Sequence, residues 1–174
     1  MPGWAPASCI GPPSGGALVS AAVDDTPHGR KLYYLHALDA SAYRGATMDL
    51  GEPSDPAPIG QVLVKEAWTP VKTDAPAWAD SGYGLARNHA ARDGAVCRTG
   101  EHTGLFVMYK VDPSTPGTDR GWVYATVAPD HKSTTSLGRV ESCMNCHVHA
   151  KHDRQFGLPI DWSRSRFVQD TPVP

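Results

Sequence analysis

Cys143, Cys146 and His147 form a C-x-x-C-H motif, whose residue types and spacing carry the most specific chemistry in the chain. This spacing is typical of c-type haem attachment. Each thiol can form a thioether bond to a porphyrin vinyl group, and the imidazole that follows the second cysteine can act as an axial ligand of the iron. We therefore predict one covalently bound haem c, with His147 as a ligand of its iron.

A zinc site is the alternative interpretation, because thiolate and imidazole donors also suit a tetrahedral metal ion. His149 and His152 add two further imidazoles close to the motif. Structural zinc sites usually take their second pair of ligands from a separate element, roughly a dozen or more residues away. The compact spacing therefore favours haem over zinc.

The position of the iron's sixth ligand is not evident from the sequence. Few residues follow His147, none of them is methionine, and Met144 lies inside the attachment motif. The opposite face of the haem must therefore come from earlier segments, whose candidate donors are Met48, Met108, His36, His89, His102 and His131. A lone histidine is more often a surface or core residue, and Met108 is explained equally well by core packing. We expect an open sixth position, which favours ligand binding or chemistry over pure electron relay.

Length and composition indicate the kind of protein that carries the motif. The chain has 174 residues, which suits one domain, and its 17 glycines and 16 prolines favour short elements joined by many turns. The formal net charge of -2 and the absence of a basic run predict no nucleic-acid partner. No apolar stretch approaches the roughly 20 residues that span a bilayer, so no membrane span is expected.

The first 29 residues are rich in proline and glycine, and we predict an irregular arm over 1–29 followed by one domain over 30–174. The N-terminus lacks the features of a secretion signal, whereas c-type haems are attached outside the cytoplasm. We expect a periplasmic or otherwise exported protein whose leader has been removed. Cys9 and Cys97 can then form a disulfide, with two unrelated thiols as the alternative.

The residue pattern predicts several short strands, two of them paired as an antiparallel hairpin, and short helices, one of which carries the haem cysteines. Period-two alternation in the strand over 61–68 places Leu63, Lys65 and Ala67 on one face, with Glu66 on the other. Residues 71–100 are predicted to be irregular with at most one short helix, and Ser142 is a candidate cap of the helix that carries the haem cysteines. The predicted elements are a strand over 31–37, a helix over 39–44 capped by Asp39, a strand over 61–68, an antiparallel hairpin of 104–111 with 121–128, and a loop leading into a helix over 133–151.

These segments together resemble the cytochrome P-460 family, which includes the cytochromes c′-beta. Only the haem motif is specific by itself, and the order and spacing of the segments carry the likeness. They are D-x-x-x-Y (39–43), G-x-V-x-V-K-E (60–66), a segment like G-x-F-x-M-x-K (104–110), G-W (121–122) and S-C-x-x-C-H (142–147). The resemblance implies an α+β, β-rich fold with a small antiparallel sheet, short flanking helices and a C-terminal c-type haem attachment helix. It also implies a five-coordinate haem and frequent homodimers. Helical cytochromes c′ share the motif, but this turn-rich sequence does not suit a four-helix bundle.

The resemblance also implies a role for Lys65. In cytochromes P-460 the lysine of the G-x-V-x-V-K-E strand is bonded to the porphyrin, whereas the c′-beta branch lacks that bond. Burial beside a macrocycle can depress a lysine pKa enough to supply a neutral nucleophile. A surface lysine next to Glu66 is the structural alternative.

The cross-linked branch implies oxidation of hydroxylamine with a redox partner cytochrome, and this chemistry needs a proton acceptor. Asp130 is the candidate, because Glu66 lies on the wrong face and Glu141 lies near the axial histidine. Phe106, Met108 and Trp122 are candidate haem contacts, and Trp68 is a further candidate for the apolar wall. Two other functions stay open: nitric oxide binding without turnover, and electron transfer with a sixth protein ligand.

Overall fold

A computed structural model of the protein describes residues 5–6, 18–19, 27–47, 56–72, 74, 85–87, 96–150 and 152–156. Over these residues the chain forms one antiparallel sheet and two short helices. The strands are β1 (Ala5–Pro6), β2 (Leu18–Val19), β3 (Leu32–Ala37), β4 (Val62–Lys72), β5 (Leu85–Arg87), β6 (Val96–Lys110), β7 (Trp122–Val127) and β8 (Thr134–Gly138). The helices are α1 (Ala40–Thr47) and α2 (Glu141–His147).

Five strands form the body of the sheet, in the order β3-β4-β6-β7-β8. β1 and β2 each add two residues to β3, and β5 pairs with β6. The predicted hairpin is confirmed as β6 and β7, with Leu105 opposite Val127 and Lys110 opposite Trp122. The strand-rich fold class and its antiparallel sheet are therefore confirmed.

The prediction that residues 71–100 are irregular was wrong in three places. β4 continues to Lys72, β6 begins at Val96, and β5 lies between them. Pro70 suggested that the strand stops, because proline cannot donate a ladder hydrogen bond. Irregularities on both sides of Trp68 shift the register, and Pro70 then pairs opposite Thr99. The bulged backbone thus accommodates a residue that normally ends a strand.

Three further strands lie where the sequence indicated loops. β8 occupies part of the predicted 133–151 loop, and its Thr and Ser residues gave no apolar alternation. Its hydroxyl groups instead bond across the pair, where Thr126 contacts both Thr135 and Ser136. β1 and β2 fall within the 1–29 segment that we predicted to be irregular. The boundary between an arm and a haem domain stays a prediction.

Two rows of paired residues cross the sheet on the face that bears Lys65. The alternation predicted for β4 is confirmed here, because Leu63 and Ala67 are buried on this face. One row is Ala37, Leu63, Met108 and Tyr124, and the next is Leu35, Lys65, Phe106 and Thr126. All four residues of the first row belong to the main hydrophobic core, so Lys65 projects beside that core.

The two helices begin differently. The Asp39 carboxylate accepts a hydrogen bond from the Ala42 N–H at 2.8 Å, which confirms Asp39 as the cap of α1. α2 follows Val140 without a side-chain cap, so the prediction of a Ser142 cap was wrong. In the described part of the chain, no helix has the length and apolar character needed to cross a membrane.

Candidate functional site

A cavity lies between the Lys65 face of the sheet and the C-terminal segment that contains α2. Its volume, counted out to its open mouth, is about 720 Å³. Its lining is largely apolar and aromatic, with a few polar groups that include Lys65 and two histidines. Main contributors are Tyr33, Leu35, Tyr43, Leu63, Phe106, Met108, Tyr124, Cys143, His147 and Phe156.

His147 ends helix α2 and projects into this cavity. Its Nδ1 lies 2.6 Å from the Arg154 carbonyl oxygen. A carbonyl only accepts hydrogen bonds, so Nδ1 carries the proton and Nε2 keeps its lone pair. Burial lowers the pKa of His147 and favours this neutral form. The arrangement is typical of a metal-ligating histidine, which usually donates its second ring N–H to a carbonyl or carboxylate.

The Arg154 carbonyl is held in place by its own side chain. The Arg154 guanidinium donates to the Asp119 carboxylate at 3.0 Å and to the Val148 carbonyl at 3.1 Å. Asp119 also accepts the Tyr124 hydroxyl at 3.0 Å. Arg154 has a positive φ of 67°, a conformation that a non-glycine residue keeps only when its surroundings hold it. These contacts therefore fix the Arg154 carbonyl, which in turn orients His147.

The neighbouring Asp153 is anchored to the core. Its carboxylate accepts hydrogen bonds from the buried Lys110 ammonium at 2.9 Å and from the Ala57 N–H at 3.0 Å. Its carbonyl accepts the Trp122 indole N–H at 2.8 Å. Trp122 is fully buried and is not among the residues that line the cavity, and its contact with a haem stays a prediction. Its indole instead supports the segment behind His147.

Both motif cysteines lie on α2 beside the cavity. Cys143 lines the main cavity, and both Cys143 and Cys146 line a smaller adjoining cavity. Residues three apart on a helix share a face, so the two thiols point to one side. Burial raises the pKa of the Cys143 thiol. Among the described residues, no group of three or more His, Cys, Asp or Glu side chains forms a metal-ligand set, so the zinc interpretation has no preformed site there.

Lys65 lies in the lining, as its register on β4 requires. Its Nζ is 4.1 Å from the centre of the Tyr33 ring. Burial, together with repulsion from Lys31, lowers the pKa of Lys65 to about 8. A substantial fraction of its amine is therefore neutral near pH 7.5, unlike that of an exposed lysine.

The remaining predicted residues divide between the cavity and the rest of the molecule. Phe106 and Met108 belong to the lining, and their contact with a haem stays a prediction. Asp130 is not among the lining residues and is exposed in the turn between β7 and β8, and its role as a proton acceptor stays a prediction. Hydrogen bonds from Ser133 and from the Lys132 N–H lower the pKa of Asp130 to about 2, as expected of a turn-stabilising carboxylate.

The other candidate donors that the structure describes do not line the cavity. His36 and His102 contact Glu66 on the opposite face of the sheet, at 3.4 and 3.8 Å, and His131 contacts His102 at 3.2 Å. Trp68 packs against His102 and is likewise absent from the lining. Met48, His89 and Cys9 lie outside the described residues. The Cys97 thiol is buried and free in the described structure, and its pairing with Cys9 stays a prediction.

Sequence reasoning missed two groups at this site. One is the 153–155 segment, because the backbone carbonyl that orients His147 leaves no residue-type signal. The other is His28, which lines both cavities but sits in a proline- and glycine-rich stretch that looked irregular. Its place directly before a predicted strand was the one available hint.

Comparison with known proteins identifies a family. The sequence matches Cytochrome P460 over residues 18–156, which spans most of the chain and includes β2 to α2. No curated protein matches the chain significantly. The match agrees with the resemblance that the motifs predicted, and it begins 12 residues before the predicted start of the domain at residue 30.

Proposed function

Because the chain belongs to the cytochrome P460 family, which implies a c-type haem protein of the P460 or c′-beta kind, we propose that Cys143 and Cys146 bind its haem covalently. His147 is then the axial ligand. The observation that carries this proposal is the His147 hydrogen bond to the Arg154 carbonyl, which leaves Nε2 available inside an apolar cavity. Aromatic rings of Tyr124 and Phe156 flank the imidazole, as suits a porphyrin site.

Lys65 is proposed to bond to the porphyrin. Its position in the lining and its pKa of about 8 support a nucleophilic amine beside the macrocycle. A bond between Nζ and a porphyrin carbon replaces one N–H and one C–H, so two electrons and two protons must leave. A peroxide, which is reduced to water by the same number of electrons and protons, is an oxidant of the required class.

The proposed activity is oxidation of hydroxylamine. Bound haem supplies a redox-active iron with a coordination place for a small nitrogen compound. The chain's own residues would exclude water from this site, because the described lining is mostly apolar and includes Phe106 and Met108. A redox partner cytochrome is proposed to accept the electrons. Family members are exported c-type cytochromes, and we propose a periplasmic homodimer.

Nitric oxide binding without turnover is the second candidate. It is favoured by the character of the lining, since no residue described there is a carboxylate. Glu66 lies on the other face of the sheet and Asp130 lies in an exposed turn. Oxidation of hydroxylamine requires a proton acceptor, whereas binding of nitric oxide does not.

Mass spectrometry of peptides from the mature protein, combined with an activity assay, tests both candidates. Haem attached at Cys143, Cys146 and Lys65, with reduction of an electron acceptor that depends on hydroxylamine, is the expected result. Lys65→Leu should keep both thioether bonds and shift the absorption spectrum towards that of an ordinary c-type haem. Lys132→Leu, on the exposed β7–β8 turn, is the matched control and should leave the spectrum unchanged.

Three outcomes would count against parts of this proposal. Mature protein without a Soret band would contradict the haem assignment. Two thioether bonds with no link at Lys65, together with nitric oxide binding and no turnover, would favour the second candidate. If Lys65→Leu oxidises hydroxylamine at an unchanged rate, the activity does not require the cross-link.

A further inference from the structure

Gln155 is a buried glutamine whose side chain has no hydrogen-bond partner in the described part of the chain. The residue is 1% exposed and lines the main cavity, yet neither its Nε2 nor its Oε1 is bonded there. Its backbone N–H donates to the His152 carbonyl at 2.8 Å, so the main chain is held while the side-chain amide is unused. Buried polar groups are nearly always hydrogen-bonded, so this amide indicates a polar group that binds in the cavity.

Gln61 shows how the same fold treats a glutamine with a structural role. It is 2% exposed, and its Oε1 accepts hydrogen bonds from the Asp39 and Val62 N–H groups at 2.9 and 3.1 Å. Its Nε2 donates to the Asp39 carbonyl at 2.7 Å. Gln61 is not among the residues that line the cavity, whereas Gln155 is. The fold therefore satisfies the amide that faces the protein and leaves the amide that faces the cavity for a ligand.

The chemistry of the amide indicates the kind of group that it binds. Gln155 offers two N–H donors and one acceptor oxygen. The residues described in the lining include no carboxylate that could accept from it. A porphyrin of the haem type is apolar over most of its edge, and its strongly polar side groups are two propionate carboxylates. These carboxylates are the acceptors that the proposed cofactor would bring into the cavity.

The position of Gln155 relative to the motif cysteines agrees with this chemistry. Both Cys143 and Cys146 line the smaller cavity, whereas Gln155 is described in the lining of the main cavity alone. The vinyl groups that bond to the thiols and the two propionates lie on opposite halves of the macrocycle. A polar side chain apart from the smaller cavity therefore suits a propionate.

We propose that the Gln155 side-chain amide donates a hydrogen bond to a propionate carboxylate of the haem and so anchors it in addition to Cys143 and Cys146. This inference rests on the proposed haem site at His147. Two thioether bonds hold one edge of a ring, and a contact with a propionate limits tilting about that edge. Gln155 directly follows Arg154, so one short segment orients the axial histidine and also binds the cofactor.

Reversible binding of two porphyrins by the full-length chain tests the inference. Cys143→Ala with Cys146→Ala prevents covalent attachment, and Gln155→Met then removes the amide with little change in volume. Gln155→Met should weaken haem binding by about tenfold, as one hydrogen bond to a charged group predicts. It should weaken binding of haem dimethyl ester, whose carboxyl groups carry no charge, by less than about twofold. Quenching of tryptophan fluorescence measures both affinities, and Tyr109→Phe, at an exposed site outside the lining, is the control that should change neither.

The results that would overturn the inference are distinct from those that contradict the haem site. Equal losses with both porphyrins would show that Gln155 only fills space, and unchanged haem binding in Gln155→Met would exclude the contact. A crystal structure of the mature wild type decides the question when these variants bind no haem, because Gln155 Nε2 must then lie within about 3.2 Å of a carboxyl oxygen of the haem. Mature protein without haem would instead contradict the function on which this inference rests.

Discussion

The two walls of the cavity are built in different ways. The wall that carries His147 is secured by a chain of hydrogen bonds and ion pairs, in which Arg154 contacts Asp119, and Asp153 contacts Lys110. The opposite wall consists of the sheet residues around Lys65 and Phe106 and the turn that carries His28. There the contacts are mainly between rings, and His28 Nδ1 has no described partner.

This difference separates two requirements of a ligand-binding haem site. A permanent axial ligand needs a fixed orientation, which outer hydrogen bonds supply. The opposite wall must leave Lys65 able to react in the proposed site, which a densely hydrogen-bonded wall would prevent. The comparison predicts that substitutions in the His147 wall reduce stability, whereas removal of a polar group from the opposite wall does not.

The largest loss of stability is expected for Lys110→Met. Lys110 is 2% exposed and its ammonium lies 2.9 Å from Asp153, so the substitution leaves a carboxylate without its cation. Breaking a buried pair in this way costs about 3 kcal/mol. Urea unfolding of the mature protein measures the loss, and Lys132→Met at an exposed site is the control. An equal, small effect of both substitutions would contradict the importance of the Asp153 anchor.

Lys65→Met should instead raise the free energy of unfolding of the chain when it is produced without haem. Because the pKa of Lys65 falls from 10.5 to about 8 on folding, the unfolded chain binds more protons between these pH values. The stability of the wild type should therefore rise as pH increases from about 8 to 10.5, and be lowest below pH 8. At pH 7 the substitution should stabilise the chain by about 3 kcal/mol and remove this pH dependence. Urea midpoints across this pH range measure both effects, and a loss of stability at pH 7 would contradict the prediction.

A smaller loss is expected for Tyr43→Phe. The Tyr43 hydroxyl donates a hydrogen bond to the Phe156 carbonyl at 2.8 Å and so helps to hold the segment that follows Arg154. Removing one such bond costs about 1 kcal/mol. Urea unfolding of Tyr43→Phe and of Tyr109→Phe, an exposed tyrosine used as control, compares the two hydroxyls. If the two substitutions change the free energy of unfolding equally, the hydrogen bond to the Phe156 carbonyl does not help to secure the His147 wall.

The smallest effect at the haem is expected for Asp130→Asn. The carboxylate is exposed and bonded within its own turn, to Ser133 and to the Lys132 N–H, so it has no contact with the cavity. Haem absorption and the rate of nitric oxide binding should equal those of the wild type. A slower oxidation of hydroxylamine in this variant would instead show that Asp130 takes part in the reaction.

Local patterns explain which parts of the fold could be predicted. The alternation in β4 and the turn between β6 and β7 depend on neighbouring residues, and both predictions were confirmed. β8 and the extension of β4 beyond Pro70 depend on pairing with a neighbouring strand, which compensates for poor local strand signals. The position of Trp122 has a similar cause, because only the packed structure shows that its indole N–H donates to the Asp153 carbonyl.

The sequence by itself determined the haem motif, the family and the register that places Lys65 on one face of its strand, because these depend on residue type and short spacing. Only the tertiary structure decided that the Arg154 carbonyl orients His147, that Asp130 is remote from the cavity and that His28 faces His147. These relations join residues 7, 17 and 119 positions apart in the chain. Folding alone brings such positions together or separates them, because their contacts follow from packing rather than from local sequence preference.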